Sequence, residues 1–431
     1  IKLFFETHSL PTNVAGMMSF HRSGYVREAA VTVLSGRSDG DETAYLLLRM
    51  NDWVPVVSKI AIAAITRRAT EVSGSTFIKN FTLVEQVKST KRCELHEVMA
   101  LIEQSIRSSQ NRDALKEVIS SSSHVLARSA LSHFIASYES NSSDEDFLLG
   151  CLRNRDIQIR QNAIQAALKF LPARMDTEIR HITLDSAPSI RRMVLEHLKL
   201  SNTSGWKTIF RAALLDPNSG MRNFARYNLP EVNAEEIYLE ELLKVDGNLE
   251  PALRGLLELG KQTPTAAVSR ALAHPFAKIR AAGYAALFTT ETPSNEIVTH
   301  MILNEKNICL KELEKFLKKK TFSISTETLT NLFRIASSAS SRKIIVKLLA
   351  NNSKWESFPI LLEIKGSGNL DINSVVEAAI ENWYRKFNKT FISPSQTELQ
   401  NCKKAFEKFS SQLKTRQRED FEFFLKTQST I

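Results

Sequence analysis

A basic residue preceded by a large apolar one recurs about every 31 residues along this 431-residue chain, and that spacing constrains its fold more than any other feature. The clearest copies are Val26-Arg27, Ile159-Arg160, Ile190-Arg191, Met221-Arg222 and Ile279-Arg280. Steps of about 31 from Arg27 run through Ser58, His96, Ala127, Arg160, Arg191, Arg222, Leu253, Arg280, Lys311, Arg342 and Asn373, and seven of these twelve positions are basic. Self-similarity at a fixed period of this length marks stacked repeats, in which each unit buries its apolar side against its neighbours.

Three further columns keep the same register. The third residue after the key position is small or aliphatic, as in Ala30, Ala61, Ala130, Ala163, Val194, Ala225 and Gly283. The seventh is usually large and apolar, as in Leu34, Ile65, Phe134, Leu198, Leu229 and Leu349. Offsets of three, four and seven fall on one stripe of an α-helix. Asp52, Asp185 and Asp216 stand six residues before the key position, with Pro55, Pro188, Pro217 and Pro275 in the same window. Asp can cap a helix and Pro fits its first turn. Each unit therefore reads as helix, tight turn, helix.

The stretch Asp216-Pro217-Asn218-Ser219-Gly220-Met221-Arg222-Asn223-Phe224-Ala225 resembles the D-P-x-x-x-V-R-x-x-A core of short bacterial HEAT repeats, and the resemblance extends over about residues 20 to 380. It implies an all-α fold: a right-handed α-α superhelix, or solenoid, of about twelve HEAT-like hairpins closed by a C-terminal helical cap. The expected organisation is an N-terminal segment at 1–20, an array at 21–382 and a cap at 383–431. Ankyrin and tetratricopeptide signatures do not occur at the period.

The resemblance also implies an inter-repeat ladder of Arg160, Arg191, Arg222 and Arg280, with Asp185 and Asp216 as partners. One place further along stand Lys59, Arg128, Arg192, Arg254 and Lys343, and with Arg226 they form a candidate basic strip. In this family the second helix of each unit lines the concave face, so the strip is a candidate partner- or phosphate-binding surface. Glu28, Glu97 and Glu312 occupy the same column elsewhere, which is the pattern of a solvated helix face.

No catalytic motif in the chain rises above noise. There is no G-x-x-x-x-G-K-[ST] loop, no G-x-S-x-G elbow and no HExxH helix. Cys93, Cys151, Cys309 and Cys402 are scattered without a CxxC pair, so neither a metal site nor a disulfide scaffold is expected, and no cofactor is implied. Some HEAT-like proteins are glycosylases for alkylated DNA bases. Here Trp53, Trp206, Trp355 and Trp383 lie far apart in sequence, and Asp52 beside Trp53 is the only adjacent acid. No apolar run reaches the ~20 residues that span a bilayer. Scattered thiols and the lack of a secretory leader fit a reducing, cytoplasmic setting. The opening Ile1 reads as the start of a fragment.

Irregular segments punctuate the array. The step from Ser58 to His96 is seven residues too long, and the excess, around Thr66 to Lys91 with Ser73-Gly74-Ser75-Thr76 and Lys88 to Arg92, reads as a surface loop. The shortened step before Arg280 marks a degenerate unit around Leu253. Ser395-Gln396-Thr397-Glu398 is a capping box, and Phe406, Phe409, Phe421, Phe423 and Phe424 read as the core of the cap.

The net charge of +10 favours acidic partners without selecting among them. The expectation is a non-enzymatic scaffold that binds a protein partner on the concave face. The alternatives are a nucleic-acid-binding array and a regulatory segment of a larger multidomain protein.

Overall fold

The computed structural model describes residues 10–71, 74–90, 95–121, 123–319, 322–368, 370–386 and 393–428. Among them there are twenty-seven α-helices and no strand. The opening Ile1–Ser9 segment, Ser73, Lys91, Arg92 and Cys93 lie outside the described residues. The chain divides into two compact units, residues 1–200 and 201–431.

In the first unit the second helices of successive hairpins stack on one another. Gly24–Ser35 packs on Pro55–Glu71, which packs on His96–Ile106, and His124–Ala136 packs on Ile157–Phe170, which packs on Pro188–Leu200. In the second unit the stack runs Ser219–Asn228, Leu249–Glu258, Ala277–Thr290, Asn307–Lys319, Ala339–Leu349 and Asn373–Lys386. The first helices of the hairpins form the other layer.

The sequence columns explain the packing. Ala30, Ala61, Ala130, Ala163, Val194, Ala225 and Ile345, three residues after the key position, have no exposed surface. Their small size lets neighbouring helix axes approach. The seventh residues, among them Leu34, Ile65, Phe134, Leu198, Leu229 and Leu349, are buried as well. Charged residues take the remaining stripe, so each helix has one buried and one wet side.

Helix starts follow local chemistry. Pro55 and Pro188 are the first residues of their helices. Asp156 accepts N–H bonds from Gln158 and Ile159, and Asn218 accepts from Met221. Asp52, Asp185 and Asp216 act one step earlier than a cap: each accepts the backbone N–H two residues on, from Val54 (2.9 Å), Ala187 (2.7 Å) and Asn218 (2.7 Å). They close Asx turns ahead of the helix.

The long step after Ser58 is no loose loop. It folds into helices Ser75–Lys79 and Phe81–Lys88, which bury Phe77, Ile78, Phe81, Val84 and Val87. The first packs on helices 96–106 and 112–121. Its entry is tight, because a side chain at Gly74 would strike the Ser105 carbonyl. The capping box at Ser395 and Glu398 forms and opens helix Gln396–Phe409. Phe406 and Phe421 are buried, Phe409 and Phe424 are partly buried, and Phe423 is exposed.

Candidate functional site

The turns of several hairpins are held by one recurring arrangement. Arg27, at the key column, donates from Nη1 to the carbonyls of His21 (3.0 Å) and Arg22 (3.1 Å), and from Nε and Nη2 to the two oxygens of Asp52, both at 2.9 Å. Arg160 repeats this on Asn154 (2.8 Å), Arg155 (3.2 Å) and both oxygens of Asp185 (2.9 Å each). Arg280 repeats it on His274 (2.9 Å), Pro275 (2.8 Å) and both oxygens of Glu305. Arg191 reaches the carbonyls of Asp185 (2.6 Å) and Ser186 (3.2 Å), and Arg222 that of Asp216 (2.6 Å). The planar guanidinium suits this double duty, since one edge forks onto a carboxylate while the far nitrogen reaches the turn.

The ladder residues named by resemblance thus lie at the turns. Its acids are not all Asp, and one of them, Glu258, lies outside the column six places before the key position. Glu305 serves Arg280, and Arg222 pairs with Glu258. The position 25 residues after Arg222 is Gly247, whose backbone sits so close to the Glu241 carbonyl that a side chain would collide with it. His21, Asn154 and His274 also take the turn-closing role of Asp: each accepts the N–H two residues on. A hydrogen-bond acceptor six places before the arginine is the signal that would have found them.

Burial opposes ionisation of Asp52, but hydrogen bonds from Arg27 and from the Val54 N–H hold its carboxyl below the usual range. Arg49 joins at 3.0 Å. The acid beside Trp53 is therefore enclosed between two arginines and is not a free catalytic carboxylate. Trp53 itself lies over the Arg27 guanidinium, 4.8 Å from its ring centroid.

The six residues of the candidate strip have separate fates. Arg128 forks onto Asp156 at 2.9 and 2.6 Å and acts as a ladder arginine one place late, where the key column holds Ala127. Arg226 donates to Glu258 (3.0 Å) and to the Tyr238 hydroxyl (2.9 Å). Arg254 bonds Glu250 (2.8 Å) and Glu312 (3.3 Å). Arg192 bonds Glu196 on its own helix at 2.9 Å. Lys59 is exposed and Lys343 is half-buried. Each of these four arginines is thus engaged by a carboxylate, and no continuous strip of open charge runs through these six positions.

Arg254 and Glu312 meet from helices that flank a third, helix 277–290. That helix carries Ala281, Ala282 and Ala285 between Lys278 and Thr289, which leaves room for the two side chains to cross it. Lys278 adds a contact to Glu250 (3.4 Å) and Lys315 one to Glu312 (3.0 Å). The result is a charge network across three second helices of the second unit.

Beyond this network the same face is hollowed. A groove of about 480 Å³ lies between helices 307–319, 339–349 and 373–386, floored by Leu317, Ala350, Val375, Ala378 and Ala379. A smaller one of about 220 Å³ lies beside it, over Leu257, Ala285, Phe288 and Phe316. A cleft of about 680 Å³ opens between helices Lys354–Gly366 and 396–409, lined by Glu356 and Glu363 from the first and by Glu398, Lys404 and Lys408 from the second.

Among the described residues no three His, Cys, Asp or Glu side chains converge as a metal ion would need. Cys151, Cys309 and Cys402 are buried, and burial pushes their thiols up to about 11, 12 and 12. Thiols that resist ionisation are poor nucleophiles. Trp355 and Trp383, distant in sequence, meet edge to face in the core with centroids 5.9 Å apart. Among the described residues no helix is long and apolar enough to cross a membrane.

Fold and turns together define the class: an all-helical, repeat-like protein. No family model matches the chain, and no curated protein matches it. Among solved structures it is similar to an engineered protein from the Northeast Structural Genomics Consortium, at 13% identity over 86% of this chain and 98% of that one, with a TM-score of 0.20. At that score nothing about this chain follows from the likeness.

Proposed function

We propose that this chain is a HEAT-like, right-handed superhelix of about twelve hairpins that works as a non-enzymatic, cytoplasmic scaffold and holds a protein partner along its second helices. The observation that carries this reading is the fate of the candidate strip. Arg128, Arg192, Arg226 and Arg254 are each engaged by a carboxylate, so they offer little to a phosphate backbone. The second helices of the second unit instead border grooves with apolar lining. A stacked array offers a long surface of this kind, and recessed apolar surface is what a protein partner covers.

One observation favours nucleic acid as a second reading. Lys311, Lys315 and Lys318 form a stripe on helix 307–319, continued by Lys343 and Lys347 on helix 339–349. Anisotropy titrations with labelled single- and double-stranded DNA and RNA, across a salt series, separate the two. The scaffold reading expects no binding at low salt beyond weak, non-specific attraction. Tight binding that falls steeply with salt and is lost in Lys311→Glu with Lys343→Glu would overturn it. Reversing Arg128 is a poor probe, because it would break the pair with Asp156 and disturb the turn.

A further inference from the structure

The 480 Å³ groove between helices 307–319, 339–349 and 373–386 has a chemistry of its own. Its lining joins an aliphatic patch, Leu317, Ala350, Val375, Ala378 and Ala379, to the polar Asn351, Ser374 and Asn382. Three of the five floor residues are alanines, Ala350, Ala378 and Ala379, and their small size gives the groove its depth. The volume falls in the range of sites that enclose a ligand group, with room for an inserted aliphatic side chain.

The rim is cationic. Lys318 and Lys347 line it, and Lys343 stands one helical turn before Lys347 on the same side. The facing acids are largely engaged. Glu314 is bound by Lys347 at 2.8 Å and Glu377 by Lys365 at 2.9 Å. Glu381 is exposed on helix 373–386, one turn before the exposed Arg385. Lysine stems can lie along the aliphatic walls while their ammonium groups stay in water.

Resting on the scaffold reading, we infer that this groove docks an acidic segment of the partner protein by an aliphatic anchor side chain. The anchor enters over Leu317, Val375 and Ala378, and flanking carboxylates meet Lys318 and Lys343, while Lys347 is held by Glu314. Charge complementarity selects the acidic segment. The floor selects protein over nucleic acid: no aromatic ring lines the groove for a base to stack on, and stacking supplies much of single-strand binding.

The test uses the full chain and three labelled peptides of equal length: glutamate interrupted by leucine, glutamate alone, and lysine interrupted by leucine. The glutamate–leucine peptide should bind and the other two should not. Ala378→Phe fills the floor at an exposed position and should weaken that binding by about tenfold or more, the worth of a lost apolar contact in a pocket. Lys318→Glu with Lys343→Glu should weaken it further and flatten its salt dependence. Melting curves read by circular dichroism check that each variant is folded, and the two variants act on different features of the site. Equal binding of all-glutamate peptide, undiminished binding to folded Ala378→Phe, or no binding of the glutamate–leucine peptide to the native chain would each overturn the groove. Peptide failure together with absent nucleic-acid binding removes the groove and leaves the scaffold. Tight, salt-sensitive nucleic-acid binding removes both.

Discussion

Arg128 forks onto Asp156 across 28 residues, with Nε 2.9 Å and Nη2 2.6 Å from the two carboxylate oxygens. Arg27 and Asp52, Arg160 and Asp185, and Arg280 and Glu305 do the same across 25 residues. Arg128 therefore belongs to the ladder, although it lies one place past the ladder column. Its carboxylate partner also caps helix 157–170 by accepting from Gln158 and Ile159. One acid thereby joins two consecutive hairpins and starts the second helix of one of them.

This pair should make stability depend on acid. The hydrogen bond from Arg128 is the main cause that brings Asp156 from 3.8 down to about 2, against partial burial and with help from the Ile159 and Gln158 N–H groups. A carboxyl whose folded value is depressed contributes stability above its unfolded value and loses it as pH falls through the folded value. The melting-temperature difference between the native chain and Asp156→Asn should be full at neutral pH, begin to shrink below about pH 4, and be mostly gone near pH 2. A difference that stays constant over that window would show that the ion pair is not its source.

A second test separates pairing from mere presence of charge. Arg160 and Asp185 are both largely buried, and removing one leaves the other uncompensated. Arg160→Met and Asp185→Ala should each cost about 3 kcal/mol or more in urea unfolding, the usual result of orphaning a buried ion. The double variant should cost much less than their sum, because no stranded charge remains. Additive losses would place the stabilisation in the separate turn bonds instead.

The repeat register was legible in the sequence because burial acts on every copy alike. The residue three places on has to be small or aliphatic wherever two helices pack, so Ala61 and Ala130 keep that column although their key positions are Ser58 and Ala127. The ladder acids were only partly legible. Asp185 shares a column with Asp52 and Asp216, and Glu305 holds the same place six residues before Lys311, but Glu258 lies outside it and reaches Arg222 from the end of helix 249–258. The carboxylate partners of the candidate strip were illegible for a related reason. Sequence spacing placed Arg226 and Arg254 on a helix face without showing that Glu258 and Glu312 approach from other helices and that Glu250 lies one turn back on Arg254's own helix. The groove had no linear signal either. It arises because Leu317, Ala350 and Ala378, from three separate helices, surround one hollow.

The degenerate unit around Leu253 makes a steric prediction. A methyl group at Gly255 would come within 2.4 Å of the Tyr238 ring. Tyr238 has no exposed surface, and its hydroxyl accepts a bond from Arg226, so the ring has little freedom to retreat. Gly255→Ala should therefore destabilise the second unit by about 1–3 kcal/mol, despite alanine's better helix propensity. Gly255→Ala combined with Tyr238→Leu, which removes the obstructing ring, should cost less than the two changes added together. If Gly255→Ala is stabilising in chemical denaturation, the close approach is not rigid.

The C-terminal helices should detach before the array does. Phe421 on helix Thr415–Gln428 is fully buried and stacks on Phe358 at 4.6 Å and lies beside Phe406 at 4.7 Å, with Trp383 at 5.7 Å. Phe423, two residues on, is exposed. Emptying the Phe421 site leaves a cavity and unstacks the cluster, a loss of about 3–5 kcal/mol for a buried ring. Because a repeat contacts only its neighbours, the damage should stay local. In Phe421→Ala, amide exchange should rise sharply in helix 415–428 and in part of helix 396–409, while helices 249–258 and 277–290 keep their protection. Phe423→Ala should leave exchange unchanged throughout. A uniform rise across the second unit in Phe421→Ala would mean that the last helices and the array unfold as one cooperative body.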